Sequence, residues 1–194
     1  MKKKVLLLAT LAIVTSVIAT GTLAYYNAED KAHNVITSGN VKVELIETTN
    51  EKDANGDPVP FEDVDGVMPG QSVSKIVQVE NTGESDAYVR IKVEKEISLT
   101  PGTAAPANYT PIVIDYATGS DATAWTKSGE YYYYNSPLKP GKRTEPLFTE
   151  VFFKENMGNE YQNCTVEIDV SAYATQAANN GANALEAKGW PETN

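Results

Sequence analysis

Apolar and polar residues alternate along most of this chain beyond residue 40, and this pattern predicts β-strands. The segment VKVEL at residues 41–45 places valine and leucine on one face and lysine and glutamate on the other. The same period of two recurs in residues 73–79, 87–94, 147–153 and 164–174. Short stretches rich in proline, glycine or asparagine separate these segments. We therefore predict an all-β fold, a single jelly-roll-like β-sandwich with roughly eight strands.

The first 24 residues have the pattern of a secretory signal peptide. Lysines at residues 2–4 precede an almost unbroken apolar run over residues 5–19, and small residues follow at Thr22 and Ala24. We expect cleavage between Ala24 and Tyr25. The alternative is a retained membrane anchor, because the apolar run and the small residues after it are together about long enough to cross a bilayer. No cationic cluster follows the run, which favours cleavage.

Three parts of the sequence form an ordered set. They are residues 21–45 (GTLAYYNAEDKAHNVITSGNVKVEL), residues 68–94, which begin with MPG, and residues 172–176 (AYATQ) with Gly189-Trp190. This set resembles the TasA/camelysin family of secreted biofilm-matrix and spore-coat-associated proteins. The first part is similar to the family's signal junction, which is of the SipW-dependent type, and to its turn into the first strand. The second resembles the family's unit of turn, strand, loop and strand, and the third resembles its closing strand and tail.

The resemblance implies a subunit of extracellular matrix or cell-surface fibres on a Gram-positive-type bacterium. In such fibres the N-terminal segment of one subunit completes a sheet of the next. Residues 25–36 contain no proline or glycine and can lie extended as an added strand. The expected partners are other copies of the chain, and signal peptidase during export; the membrane is a partner only of the precursor. The residues expected to take part in assembly are Tyr25, Tyr26, Asn27, Ala28, Glu29, Asp30, Val35 and Ile36.

These expectations divide the chain into four parts. They are the signal peptide at 1–24, a donor-strand segment at 25–36, the sandwich at 37–176 and a loosely packed tail at 177–194. Cleavage removes three lysines and no acids, so the net charge changes from −10 to −13. This charge argues against nucleic acid as a partner, since binding to phosphates requires basic surface. Cys164 is the only cysteine, so no disulfide can form within the chain.

The sequence contains no recognisable catalytic constellation, and we do not expect an enzyme. His33 is the only histidine and no HExxH motif occurs, so a zinc peptidase site cannot be identified. Cys164 lies on the apolar face of the last strand, where a buried thiol is the ordinary interpretation. A camelysin-like secreted metallopeptidase remains the alternative from a different functional class.

An acidic loop at residues 51–62 has the spacing of a calcium-binding loop. Ligand-type residues and a glycine fall at positions 1, 3, 5, 6 and 12 of that pattern, namely Glu51, Asp53, Asn55, Gly56 and Glu62. The loop departs from the pattern at position 1, which is glutamate, and at position 8, which is Pro58. Its flanks predict strands where the calcium motif has helices. We expect a solvated hairpin loop and no cofactor, and a calcium-dependent surface protein is the alternative.

Four consecutive tyrosines at residues 131–134 suggest an adhesive or carbohydrate-binding surface. In a strand, however, Tyr131 and Tyr133 face opposite to Tyr132 and Tyr134, so at most two of them share a surface. Amphipathic tyrosines are also common at the rim of a sandwich. We therefore interpret the run as one strand of a hairpin with Trp125 in its partner strand.

Overall fold

A computed structural model describes residues 26–29, 34–38, 41–107, 109–118 and 124–191. Within these ranges the strands are β1 (Tyr26–Glu29), β2 (Asn34–Ser38), β3 (Val43–Lys52), β4 (Pro58–Pro60), β5 (Val64–Val67), β6 (Ser72–Ser74), β7 (Ile76–Asn81), β8 (Ala87–Ser98), β9 (Ile112–Ile114), β10 (Trp125–Ser128), β11 (Tyr131–Tyr134), β12 (Glu150–Phe153) and β13 (Thr165–Gln176). One 3-10 helix covers Asn159–Tyr161. The structure is 47% strand and 2% helix, which confirms the all-β prediction.

The first layer is a seven-stranded sheet built around β8 and β13. These two strands are the longest, with 12 residues each, and they pair antiparallel from Thr165 with Ser98 to Gln176 with Ala87. On one side β11 adds to β8, and β10 adds to β11 as a hairpin. On the other side β13 receives β1 and β2, and β1 also pairs with β5. β13 is therefore an interior strand along most of its length.

The second layer consists of two three-stranded sheets joined by a segment of irregular backbone. One sheet has the order β4-β3-β7 and the other the order β6-β12-β9. β6 and β7 are separated in sequence only by Lys75. Next to this break, Val77 N–H donates to Phe148 O (3.1 Å) and Leu147 N–H donates to Val77 O (2.9 Å). These hydrogen bonds extend the layer from one small sheet into the other.

The two layers enclose a common hydrophobic core, which confirms the sandwich. The alternating positions predicted to face inward are buried, except that Val93 is half-buried and Thr149 is exposed. Strands β8, β13, β3, β7 and β12 all contribute to the same cluster. Its members from these strands, apart from three alanines, are Val43, Leu45, Val77, Val79, Val89, Ile91, Val151, Phe153, Val166, Ile168 and Val170. The alternating segments therefore predicted correctly which side chains supply the burial energy of the fold.

Several boundaries differ from the sequence-based expectation. The hairpin loop expected at residues 51–62 is shorter in the structure, because residues 51 and 52 belong to β3 and residues 58–60 form β4. The tyrosine hairpin turns at Gly129 and Glu130, because Ser128 pairs with Tyr131. Gly129 has a φ of +60°, a conformation that glycine adopts without strain. The strand expected from residue 147 begins at Glu150, directly after an irregular stretch that contains Pro146.

The C-terminal residues 177–191 lie across the outer face of β8 and β13. Ala184 and Ala187 are buried against Tyr88, in a small cluster that is separate from the main core. Asn183 Oδ1 accepts the N–H groups of Leu185 (2.9 Å) and Glu186 (3.1 Å), which fixes one turn of this segment. The tail that we expected to be loosely packed therefore has buried contacts and an ordered turn.

Candidate functional site

β1 occupies a slot between two strands that are not paired with each other. On one side it runs parallel to the start of β13, with Asn27 paired with Thr165 and Ala28 paired with Val166. On the other side it runs antiparallel to β5, where Ala28 is paired with Val64. In the parts of the chain that the structure describes, β1 is the only strand that pairs with β5. A four-residue strand from the N-terminal segment thus joins β5 to the large sheet.

β2 continues along the same edge of β13. It pairs parallel with the second half of that strand, from Asn34 with Ser171 to Ser38 with Thr175. Val35 packs against the main core, and Ile36 is half-buried. β1 and β2 together therefore cover the edge of β13 that lies opposite β8. Without them, β13 would present a row of unpaired N–H and C=O groups, the arrangement that recruits another strand.

The core next to this slot leaves no room for a small-molecule ligand. The cavity at this place is lined by Phe61, Val166 and Ile168 among others, and its volume is about 10 Å³. That volume holds at most about one water molecule. What the slot offers is a ladder of main-chain hydrogen bonds, and such a ladder binds an extended peptide segment.

A buried ion pair borders the same cavity. Lys75 Nζ lies 2.9 Å from Glu47 Oε1, and the two side chains are 2% and 1% exposed. The ammonium group also lies 4.0 Å from the centroid of the Phe61 ring. Removing one partner of such a pair leaves an uncompensated buried charge, which is strongly destabilising. The sequence analysis missed this pair, although Lys75 stands between Val73 and Val77 at a position of the apolar face.

Some of the residues expected to act in export and assembly lie outside the described residues. These are Thr22, Ala24, Tyr25 and Asp30, and the single histidine, His33, also lies outside. The other expected assembly residues belong to β1 and β2, namely Tyr26, Asn27, Ala28, Glu29, Val35 and Ile36. The structure therefore brings these residues to one edge of β13.

The acidic loop is the tip of the β3–β4 hairpin, and Asp53 stabilises its turn. Asp53 Oδ1 accepts hydrogen bonds from the N–H groups of Asn55 (2.8 Å) and Asp57 (2.9 Å). The Asp57 N–H, and then that of Asn55, hold the pKa of Asp53 below its ordinary value of 3.8. The hydrogen bonds of a tight turn thus explain why an aspartate and an asparagine stand two residues apart.

The remaining carboxylates of the calcium pattern do not converge on this turn. Glu51 belongs to β3, and Glu62 follows Phe61, whose N–H donates to Glu47 O. Glu51 follows Glu47 by four positions along the strand, which corresponds to about 13 Å. Within the described ranges, the structure contains no group of three or more His, Cys, Asp or Glu side chains placed to hold a metal ion.

The only cysteine is buried at the start of β13. Cys164 is fully inaccessible to solvent, and this burial raises the pKa of its thiol to about 11. At neutral pH the group is therefore a protonated thiol, and the thiol form is not the nucleophile. Among the described residues, no helix has the length and the apolar character needed to cross a membrane.

The tyrosines of β11 are divided between the two faces of the sheet, as the alternation predicts. Tyr132 and Tyr134 are buried in the core, whereas Tyr131 and Tyr133 are half-buried on the outer face. Tyr131 contacts Tyr173 edge to face, with ring centroids 5.5 Å apart, and Tyr133 contacts Trp190 in the same manner at 5.9 Å. The two outer tyrosines are thus engaged with other aromatic rings of the same chain.

Comparison with family models, curated proteins and solved structures gave no match for this chain. What the molecule does is therefore inferred from its own residues and geometry. The feature on which we base this inference is the edge of the largest sheet that the N-terminal segment completes.

Proposed function

We propose that this protein is a secreted structural subunit of extracellular biofilm-matrix or cell-surface fibres, which assemble by donation of the N-terminal strand. The observation that carries the proposal is the position of β1 between β13 and β5. A strand in this position can be supplied by the same chain or by a neighbour, because the hydrogen bonds are those of the main chain in either case. The resemblance of residues 21–45 to the TasA/camelysin signal junction supports the same function.

In the monomer the N-terminal segment fills the slot of its own chain, and in the fibre it fills the slot of the next subunit. The segment joins the body of the sandwich at Lys42, whose carbonyl oxygen accepts the N–H groups of Thr82 and Gly83, both at 3.0 Å. Gly83 approaches this backbone so closely that an added Cβ would lie 2.9 Å from Lys42 N. The body therefore begins at a fixed point, and the exchange involves the residues before it.

A tethered strand has an advantage over a strand that arrives from solution. A short tether gives it an effective concentration on the order of millimolar, which favours pairing within one chain. Fibre growth therefore requires additional contacts between neighbouring bodies, or a growing end whose slot is already open. Contacts between different surfaces of successive subunits repeat without closing and give an open filament.

Export supplies the timing in this proposal. As long as the signal peptide is attached, the segment after it is tied to the membrane and is not available to a neighbour. Cleavage between Ala24 and Tyr25 releases it outside the cell. N-terminal sequencing of the secreted protein should begin at Tyr25, and Ala24→Lys should leave the precursor uncleaved at the membrane. A secreted chain that begins before Gly21 or after Asn27 would contradict this site.

Deletion of residues 25–35 tests the assembly directly. We expect the deletion variant to fold, since the β8–β13 pairing and the second layer remain, and to form no filaments under the electron microscope. Glu44→Ala is the matched control, because Glu44 is exposed on β3 in the other layer, and this variant should polymerise normally. Filaments of normal appearance from the deletion variant would show that assembly uses a different edge.

A peptide provides the complementary measurement. A synthetic peptide of residues 25–38 should bind to the deletion variant, because that variant has an open slot between β13 and β5. It should not bind to the unaltered chain, whose slot is filled. The same preparations, assayed for casein cleavage with and without a chelator, test the peptidase alternative.

A further inference from the structure

Arg90 is enclosed by aromatic rings on the outer face of the large sheet. Its guanidinium carbon lies 3.8 Å from the ring centroid of Tyr131, 4.7 Å from that of Trp190 and 5.2 Å from that of Tyr173. Nη2 also donates a hydrogen bond to Pro191 O at 3.3 Å. A planar guanidinium stacks on such rings in a way that an ammonium group does not. These contacts hold Trp190 and Pro191 over β8.

A second set of contacts fastens the same tail to β13. Asn180 Nδ2 lies 3.0 Å from Lys188 O, and Lys188 N–H donates to Asn180 Oδ1 at 2.8 Å, which closes residues 180–188 into a loop. Thr175 Oγ1 donates to Lys188 O and accepts from Asn180 Nδ2, both at 3.4 Å. We call residues 180–191 the C-terminal clasp.

The clasp braces the part of β13 that receives β2. It contacts Thr175 directly, and it contacts Tyr173 through Arg90, which is paired with Tyr173 across the sheet. On the opposite edge of β13, Tyr173 is paired with Ile36 and Thr175 is paired with Ser38. Tyr173 lies on the outer face and is nevertheless only 2% exposed. A continuous series of contacts and cross-strand pairs therefore connects the C-terminal clasp, through Arg90 and β13, to the N-terminal segment.

We propose that the C-terminal clasp positions the acceptor edge of β13, with Trp190 and Arg90 as the positioning residues for β2. This inference rests on the proposed function in so far as β2 belongs to the segment that is exchanged. Pairing of β2 depends on the alignment of the backbone N–H and C=O groups along β13. That alignment is kept only if β13 stays fixed in position relative to its neighbouring strands. Arg90 contacts Tyr173 on the outer face of β13, and Trp190 covers the guanidinium group of Arg90 and so holds it in that position.

Hydrogen exchange of the chain that begins at Tyr25 tests this inference in the monomer. Trp190→Ala should accelerate amide exchange in residues 34–38 by about fivefold, the factor that corresponds to the loss of about 1 kcal/mol of cation–π contact. Residues 76–81 in the other layer should exchange as before. Trp190→Phe should restore most of the protection, and Arg90→Lys should reproduce the effect of Trp190→Ala. Leu185→Ala is the control, because Leu185 belongs to the clasp and is 50% exposed.

Two results would overturn the inference. Unchanged exchange in residues 34–38 of Trp190→Ala would show that the clasp does not act on β2. Equal acceleration in residues 76–81 would show that Trp190 stabilises the whole fold and has no specific effect on the acceptor edge. Both readouts come from the monomer, so they remain decisive if the unaltered chain forms no filaments. Absence of filaments would count against the proposed function and leave the result on the clasp intact.

Discussion

The two edges of β13 differ in how they are paired. Along one edge β8 contributes twelve consecutive antiparallel pairs, from Ser98 to Ala87. Along the other edge β1 contributes three parallel pairs and β2 contributes five, and residues 30–33 connect them. The β8 edge includes side chains at the centre of the core, such as Val89 and Ile91, both completely buried. Both edges belong to β13, so the difference between them arises from the strands that pair with it, β8 on one side and β1 and β2 on the other.

This difference bears on the exchange that we propose for the N-terminal segment, and we call the β8 edge permanent and the other edge exchangeable. Parallel pairs are slightly less stable per residue than antiparallel pairs, and a short ladder opens at lower free energy than a long one. Opening the β8 edge would expose the core, whereas releasing β1 and β2 leaves the β8–β13 pairing intact. The core therefore holds β8 in place, and the proposed strand exchange would use the N-terminal segment.

The largest effect is expected at the permanent edge. Ile91→Ala and Ile168→Ala should each lower the free energy of unfolding by about 2–5 kcal/mol, because each removes buried atoms and leaves a cavity. Ile91 is completely buried and Ile168 is 5% exposed. Chemical denaturation measures the change. If both substitutions left the free energy of unfolding unchanged, burial of these side chains in the core could not be what keeps β8 paired with β13.

Proline in β1 tests the exchangeable edge. Glu29→Pro removes one backbone N–H from β1 and should abolish filaments, while lowering the free energy of unfolding by about 0.5–1.5 kcal/mol, the usual net contribution of one hydrogen bond. Glu29→Ala is the matched control, because it retains the N–H group and should polymerise. If the proline variant polymerises as readily as the alanine variant, the N-terminal segment is not the strand that is exchanged in assembly.

Cys164 reports on the end of β13 where the two edges meet, since the next residue, Thr165, pairs with both Ser98 and Asn27. At pH 8 a thiol reagent should label the denatured chain rapidly and the native chain very slowly. Burial raises the pKa of the thiol from 9.0 to about 11, so deprotonation favours the unfolded state. The stability of the native chain relative to Cys164→Ala should therefore fall as the pH rises from 9 to about 11. A difference that is independent of pH would contradict the closed environment of this thiol.

The smallest effect is expected on the outer face of the permanent edge. Lys92 lies beside Ile91, and its Nζ contacts Glu94 Oε1 at 3.0 Å near the surface. Lys92→Ala should change the free energy of unfolding by no more than about 0.5 kcal/mol, as is usual for surface ion pairs. A loss as large as that of Ile91→Ala would mean that the outer face of this strand contributes as much as the core face.

The sequence predicts the faces of the strands well, because alternation directly records which side of a strand is buried. The burial of Val43, Leu45 and Ile168 could be predicted from the alternation alone. The pairing of β1 with β13 could not be predicted in the same way, since it joins residues that are about 140 positions apart and β1 has no clear alternation. That Tyr88 is buried depends on the C-terminal segment, which covers a face that the pattern assigns to solvent.

The candidate site follows the same division. The resemblance and the absence of proline and glycine selected the N-terminal segment, and no pattern within it identified the strands that it would join. The spacing of Asp53 and Asn55 suggested a metal site and is explained by a hairpin turn, because the same short polar side chains serve both purposes. Lys75 is a charged residue at an apolar position, and such a residue is a usable signal for a buried ion pair.

The direction of β1 in its slot has a consequence for the fibre as a whole. β1 lies parallel to β13 and antiparallel to β5, so a donated strand with this register can enter from one direction only. If donation builds the filament, its two ends are chemically different: one displays an open slot and the other a free N-terminal segment. A chain that lacks residues 25–35 can still receive a strand, but it has none to give. Added in small amounts, such chains should cap the end that displays a free segment, so the average filament length would report the ratio of truncated to complete chains.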